Sequence, residues 1–299
     1  MAEINDIFQA TEDKIDSLLK TNDANIVKSI KKLEKNILNL YQAEYPKGKA
    51  KFKIAQATKV HKGMIRLMNT EYNTAMQSIT NEYSKVISAI QAEFAALEVP
   101  VSFTNVDSKI FSELQTTAYN SFNQLGNKAL NELSQSLYNG VALGSDFASL
   151  VGEMKGALIG LETVTGTSLA SYASRYAHDS LMSYYSTVQK RTAKKAGLNY
   201  FLYMGNIQFN TRPFCAARAG LVFSESQIDS WNNMSWRGQS GDVWTNRGGF
   251  RCRHSFHAVD PEWIKEGKIE VQSIFDEKPD LMTAKNAAAV EKEKARMYG

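Results

Sequence analysis

Apolar residues recur at steps of three and four through most of the first two hundred positions, and that spacing confines this stretch to packed amphipathic helices. Ile4, Phe8, Ile15 and Leu18 open the series, with Thr11 at the missing step, and Ile26, Ile30, Leu33, Ile37 and Leu40 continue it. Thr21-Asn22-Asp23 offers caps between them and predicts two helices in a hairpin. Pro46-Lys47-Gly48 predicts the next interruption. From Lys51 to Leu97 one face stays apolar through Ile65, Met68, Tyr72, Ala75, Ile79, Tyr83, Val86, Ile90 and Phe94, as one long helix or two joined near Gly63. Val99-Pro100 closes that segment, because the residue before proline disfavours helix. Asp107 is the expected cap of another helix running to about Tyr138. Gly152, Gly156 and Gly160 recur every fourth residue, which predicts close helix–helix packing over 146–160. A last long helix, from about Ser168 to Ala196, stops at Gly197. Its closing Lys190-Arg191-Thr192-Ala193-Lys194-Lys195 places cations where the helix dipole favours them.

After Gly197 the texture changes. Residues 198–263 hold both cysteines, all four tryptophans and two of the four histidines of the 299-residue chain. Asn199–Met204 (NYFLYM) and Phe250–Val259 (FRCRHSFHAV) read as strands around a loop-rich interior. Trp231, Trp236 and Trp244, with Arg212 in the Thr211-Arg212-Pro213 turn, are the expected core, although tryptophans also make stacking platforms for bases. Arg247-Gly248-Gly249 reads as a second tight turn. The tail beyond Pro279 is alanine- and charge-rich and predicts a C-terminal helix. The expected fold is mainly α, with long helical hairpins or a bundle in the N-terminal two thirds, then a small α+β module and a closing helix. The expected boundaries are 1–100, 101–197, 198–263 and 264–299.

Charge is unevenly spread. The net charge is +4, yet residues 28–66 carry eleven Lys or Arg against Glu34 and Glu44, while residues 67–160 carry four basic and nine acidic side chains. Lys28, Lys31, Lys32, Lys35, Lys51 and Lys53 are therefore candidate contacts for nucleic acid or another polyanion. A solvated helix face has the same composition. The opening MAEINDIF lacks a cationic region followed by an apolar stretch, so no secretory signal is expected. No run reaches the ~18–20 apolar residues that span a bilayer. Two cysteines make no disulfide framework, which fits folding in a reducing cytoplasm.

Cys215, Cys252, His254 and His257 supply two sulfurs and two imidazoles, a donor set suited to tetrahedral zinc. Cys252 and His254 would share one face of a strand, and His257 would need a turn or bulge to join them. Two free buried thiols or a disulfide fit the same pair of cysteines. Nucleophilic catalysis would pair Cys215 with His254 and orient the ring through Asp229 or Asp242. A zinc hydrolase would draw its base from these or from Glu225. No spacing selects these carboxylates, so no catalytic residue is assigned.

TRPFCAARAGLVFS, then Ile228 and Trp231, then GGFRCRHSF, resembles the C-terminal domain of phage Mu F-like minor head proteins within the phage head-morphogenesis group. The matching pieces are Tyr200–Gly205, Thr211-Arg212, Cys215, Gly220, Gly248-Gly249 and Cys252-Arg253-His254, over about residues 170–260. Asn210 stands where the family usually has aspartate, and Ala258-Val259 where Pro-Val is common. The resemblance implies a virion structural protein rather than an enzyme. It also implies association with the portal and other head or neck proteins in multiple copies, a role in head assembly or DNA ejection, basic residues 28–66 facing packaged DNA or an acidic portal surface, and a place at the portal vertex or inside the head after synthesis in the host cytoplasm. DNA-binding accessory proteins and effector or toxin domains are the alternative classes.

Overall fold

The computed structural model describes residues 2–45, 52–160, 168–208, 211–239 and 241–267. It is mainly α, with one small three-stranded sheet in the C-terminal region. The expected break at Pro46–Gly48, Lys51, Asn210 and the C-terminal helix lie outside the described residues. The described residues form two compact units that do not follow chain order. One comprises the described residues of 1–16, 84–111 and 179–299, the other those of 17–83 and 112–178.

Helix α1 runs unbroken over Ala2–Glu44, so the expected hairpin break at Thr21–Asp23 is corrected. Asn22 is buried, and like Thr11 it sits at a seam position between apolar residues. No glycine or proline accompanies it, and capping residues permit a helix end without forcing one.

The second unit is all helical. Behind the rear of α1 come α2 (Ile54–Leu67), a π turn (Met68–Tyr72), α3 (Asn73–Asn81) and α6 (Phe147–Ile159). The middle of α5 (Asn105–Leu143) and the start of α7 (Leu169–Lys195) complete it. Its core joins Ile30, Leu33 and Ile37 to Met64, Met68, Tyr72, Leu133, Leu150 and Met154. Met64, Met68, Tyr72 and Met76 are all buried at successive steps of four. Such steps over-rotate a 3.6-residue helix by roughly 40° each, and the wider π turn takes up the excess. The π turn at 68–72 runs on into α3 without a break, and the helix is interrupted at Glu82–Tyr83, before α4 (Ser84–Ala96), not at Gly63. Gly63 lies inside α2, where a Cβ would meet the Leu40 side chain at 2.5 Å. Ile65, assigned to the apolar face, is exposed, and Met64 and Leu67 take its place. Close helix approach also occurs at Gly126 against Tyr72 and at Gly140 against Leu150, whereas Gly152 faces open space. Tyr72 donates to the Phe122 carbonyl at 3.0 Å, which fixes the π turn against α5.

In the first unit Asp107 is not the cap of α5. Thr104 is, and Asp107 is its capping-box partner: the Thr104 N–H donates to the carboxylate at 2.7 Å and the Asp107 N–H returns to Thr104 Oγ1 at 3.4 Å. Asp107 is fully buried and also takes Arg191 and Lys195 from the last turns of α7. Burial alone would raise its pKa. The hydrogen bonds from Lys195, Arg191 and Thr104 outweigh burial and hold it well below the usual carboxylate range. Lys190 lies between Glu225 (3.5 Å) and Asp229 (3.6 Å), over the Trp244 ring. The basic knot before Gly197 therefore grips its own unit, beyond any dipole effect.

The sheet has order β2-β1-β3, all antiparallel, from β1 (Tyr200–Met204), β2 (Leu221–Ser224) and β3 (Ser255–Val259). The second strand is thus shorter than FRCRHSFHAV, whose first half is a turn with Arg251 at φ 54°. Register places Phe201, Tyr203, Leu221, Phe223, Phe256 and Ala258 on one face, and Leu202, Val222, Ser255, His257 and Val259 on the other. Trp231 and Trp244 cover the first face, against Phe223 and Phe201 respectively, each with ring centroids 4.8 Å apart. Ile4 and Phe8 of α1, with Leu97, cover the second.

Candidate metal centre

Cys215, Cys252 and His254 meet on the aromatic side of the sheet, with one donor atom from each within 4.8 Å of the others. All three are buried, at 2%, 3% and 5% exposure. Each arrives by a different local device. Pro213 starts the short helix α8 (Pro213–Ala216), which turns Cys215 inward beneath β1. Arg247 (φ 49°), Gly249 (φ 100°) and Arg251 (φ 54°) bend the chain so that Cys252 and His254 enter from a turn. They do not come from one face of a strand, as the spacing alone predicts.

Two glycines make room. A Cβ on Gly248 would lie 2.0 Å from the Cys215 sulfur and 3.2 Å from that of Cys252. A Cβ on Gly205 would lie 2.5 Å from the His254 ring. Trp236 donates to the Gly248 carbonyl at 3.0 Å and stacks on Phe214, so it ties the glycine turn to α8.

The two sulfurs are 3.7 Å apart, and Cys252 Sγ is 3.7 Å from His254 Nδ1. The hydroxyl of Tyr203 lies 3.4 Å from the Cys215 sulfur and 3.6 Å from that of Cys252. The hydrogen bond with Cys215 and the facing His254 pull the Cys252 pKa down against burial; the same hydrogen bond and burial push Cys215 up. The His254 ring stacks on Tyr203, 5.2 Å between centroids, while its buried Nε2 has no hydrogen-bond partner. A buried imidazole left with a sulfur 3.7 Å away is short of a good partner, at a cost of roughly 1–3 kcal/mol. The cluster is of a kind that can hold a metal ion.

His257 does not join the set. Strand β3 is regular there, so His257 points to the opposite side of the sheet, where Nδ1 meets Glu93 at 3.0 Å and Nε2 meets Glu12 at 2.9 Å. Ser255 and Tyr185 complete this buried group, and Gln189 anchors Glu93. Burial alone would lower the His257 pKa, but the charge of Glu93 and the hydrogen bonds that the ring donates to both carboxylates raise it to about 10.

The remaining expected residues also have clear places. Trp231 and Trp244 are buried core, and Trp236 is half-buried. Arg212 caps α8 and donates to the Phe250 carbonyl, but it is half-exposed. Among the described residues the buried arginines are Arg218 and Arg247, the latter donating to the Met182 carbonyl (2.8 Å) and to Ser186 (2.7 Å). Asp229 accepts from Trp244 at 2.6 Å, Asp242 caps α10 (Val243–Asn246), and Glu225 starts α9 (Glu225–Ser230). Those contacts give all three carboxylates structural duties. Lys28, Lys31, Lys32, Lys35 and Lys53 are all exposed; Lys32 also reaches Glu71 at 3.9 Å.

Glu12 and Glu93 were not singled out by the sequence, and Tyr203 and Gly248 entered only as members of a strand and a turn, not as parts of a site. Tyr203 is one aromatic in an aromatic strand, and Gly248 reads as an ordinary turn residue. Among the described residues no helix is long and apolar enough to cross a membrane. No family model matches the chain, and neither a curated protein nor a solved structure matches it.

Proposed function

We propose that this chain is a structural component of a tailed-phage virion, a minor head protein at the portal vertex, whose C-terminal module is stapled by zinc. One observation carries the reading: the residues on which the Mu F-like resemblance rests have structural duties. Thr211 accepts from the Gln208 N–H at 2.7 Å, Arg212 ties down Phe250, Gly220 and Gly249 adopt positive φ, and both cysteines are sealed beneath aromatic rings. An ion held there stabilises a fold and does not meet a substrate. Soft thiolates with one imidazole favour zinc among the common divalent ions.

The long helices present the docking surface for the portal in this reading, and the exposed lysines of α1 face an acidic portal surface or packaged DNA. Co-expression of the full chain with the portal protein of its own phage tests it. A complex that survives size-exclusion chromatography, together with the chain's presence in purified heads, is the expected result. A chain that stays free of portal and is missing from heads contradicts it. An association insensitive to salt removes the electrostatic part alone.

A further inference from the structure

We propose that the metal site is four-coordinate and that the phenol oxygen of Tyr203 is its fourth ligand. The inference rests on the metal reading above and adds a donor to it. A tetrahedral zinc needs four ligands, and with His257 on the other side of the sheet the sequence motif supplies three. With Zn–S at ~2.3 Å and Zn–N and Zn–O at ~2.0 Å, a tetrahedron has S···S edges of about 3.8 Å and S···N and S···O edges of about 3.5 Å. The corresponding distances here are 3.7 Å between the sulfurs, 3.7 Å from Cys252 Sγ to His254 Nδ1, and 3.4 and 3.6 Å from the Tyr203 oxygen to the two sulfurs. Four edges of one polyhedron are therefore already in place.

Tyr203 is held there from several sides. It sits on the central strand, paired with Leu221 and Phe256, and its ring is stacked on His254. Its fully buried hydroxyl lies against the two sulfurs. Gly248 approaches the same three donors, with its missing Cβ position 3.4 Å from the phenol oxygen. A side chain on residue 248 would occupy the point on which sulfurs and phenol converge. On binding, two thiols and one phenol each lose a proton to solvent, and the resulting S₂NO set carries one negative charge with the divalent ion included.

Stoichiometric zinc titration of the metal-free full chain tests this, read by difference absorption of tyrosinate and by proton release. The expected result is one tyrosinate signal that saturates at one zinc per chain near neutral pH. It should be absent from Tyr203→Phe, which should release one proton fewer per zinc and bind at least about tenfold more weakly. Cobalt(II) on the same variant should keep its thiolate charge-transfer bands and change its ligand-field bands. Zinc binding with no tyrosinate signal, and an identical cobalt spectrum in Tyr203→Phe, overturns the fourth ligand and leaves the three-donor site standing. No zinc uptake by the wild-type chain overturns the site itself. Should Tyr203→Phe fail to fold, the wild-type tyrosinate signal alone decides.

Discussion

The two faces of the small sheet are closed by opposite chemistries. One is covered from within the module, by Trp231, Trp244 and a cluster of sulfurs, imidazole and phenol. The other is covered by helices from far away in the chain, and its polar centre is a histidine between two carboxylates that raise its pKa to about 10. Adjacent strand positions thus serve different ends. Phe256 packs among rings while His257 faces Glu12 and Glu93. The lesson is that a histidine three residues past a Cys-x-His pair belongs to whichever face the strand gives it, not to the nearest ligands in sequence.

Breaking the sulfur face at its tightest point should have the largest effect. Gly248→Val puts carbon into both sulfurs and is expected to cost more than about 3 kcal/mol, because overpacking here has no flexible side chain to yield. Near-ultraviolet circular dichroism of the tryptophans, with retained far-ultraviolet helix signal, is the check. The opposite face comes next. His257→Leu leaves Glu12 and Glu93 facing each other without a cation and should lower stability by about 3–5 kcal/mol while metal binding persists. Glu93→Gln should fall in the same range, measured by denaturant midpoints.

The same clamp has a defined pH signature. The folded pKa of His257 is raised to about 10 from an unfolded value near ~6.5. Its stabilisation is therefore fully present below about 6.5 and lost as pH rises through about 10. Wild type should lose stability across that alkaline window, and the His257→Leu profile should be flatter there. Asp107 acts with the opposite sign: its lowered pKa stabilises above the ordinary carboxylate value, and that contribution disappears as acid protonates it. Asp107→Asn should reduce the acid sensitivity of unfolding.

The smallest effects belong to the exposed lysines. Changing Lys31 and Lys35 to Gln should move stability by less than about 0.5 kcal/mol. If they touch a polyanion, the salt dependence of DNA binding should flatten by about one unit of slope per lost contact. Unchanged binding and slope would remove them from any such surface.

The helical character and the sulfur face were legible because their signals are local. A four-three apolar series announces a helix, and Cys215, Cys252 and His254 stand out as rare residues in one short stretch. Asn22 shows where this fails: capping chemistry reads as a break, yet nothing in the residue opposes helix once its position falls on a buried seam. The π turn was hidden for a related reason, since repeated steps of four look like ordinary amphipathicity until the phase error is summed. The Glu12–His257–Glu93 clamp was beyond reach. Its members are separated by 245 and 164 positions, and single glutamates on helices carry no mark of burial. Tyr203 was visible only as part of an aromatic strand, since its meeting with the sulfurs depends on α8 and the Arg247–Arg251 turn.

Metal content of the purified full chain, measured by elemental analysis beside Cys252→Ser and His257→Leu, tests the division between the faces most directly. The account predicts one zinc per chain in wild type and in His257→Leu, and none in Cys252→Ser. A wild-type chain without metal, or zinc lost with His257 and kept without Cys252, would contradict it.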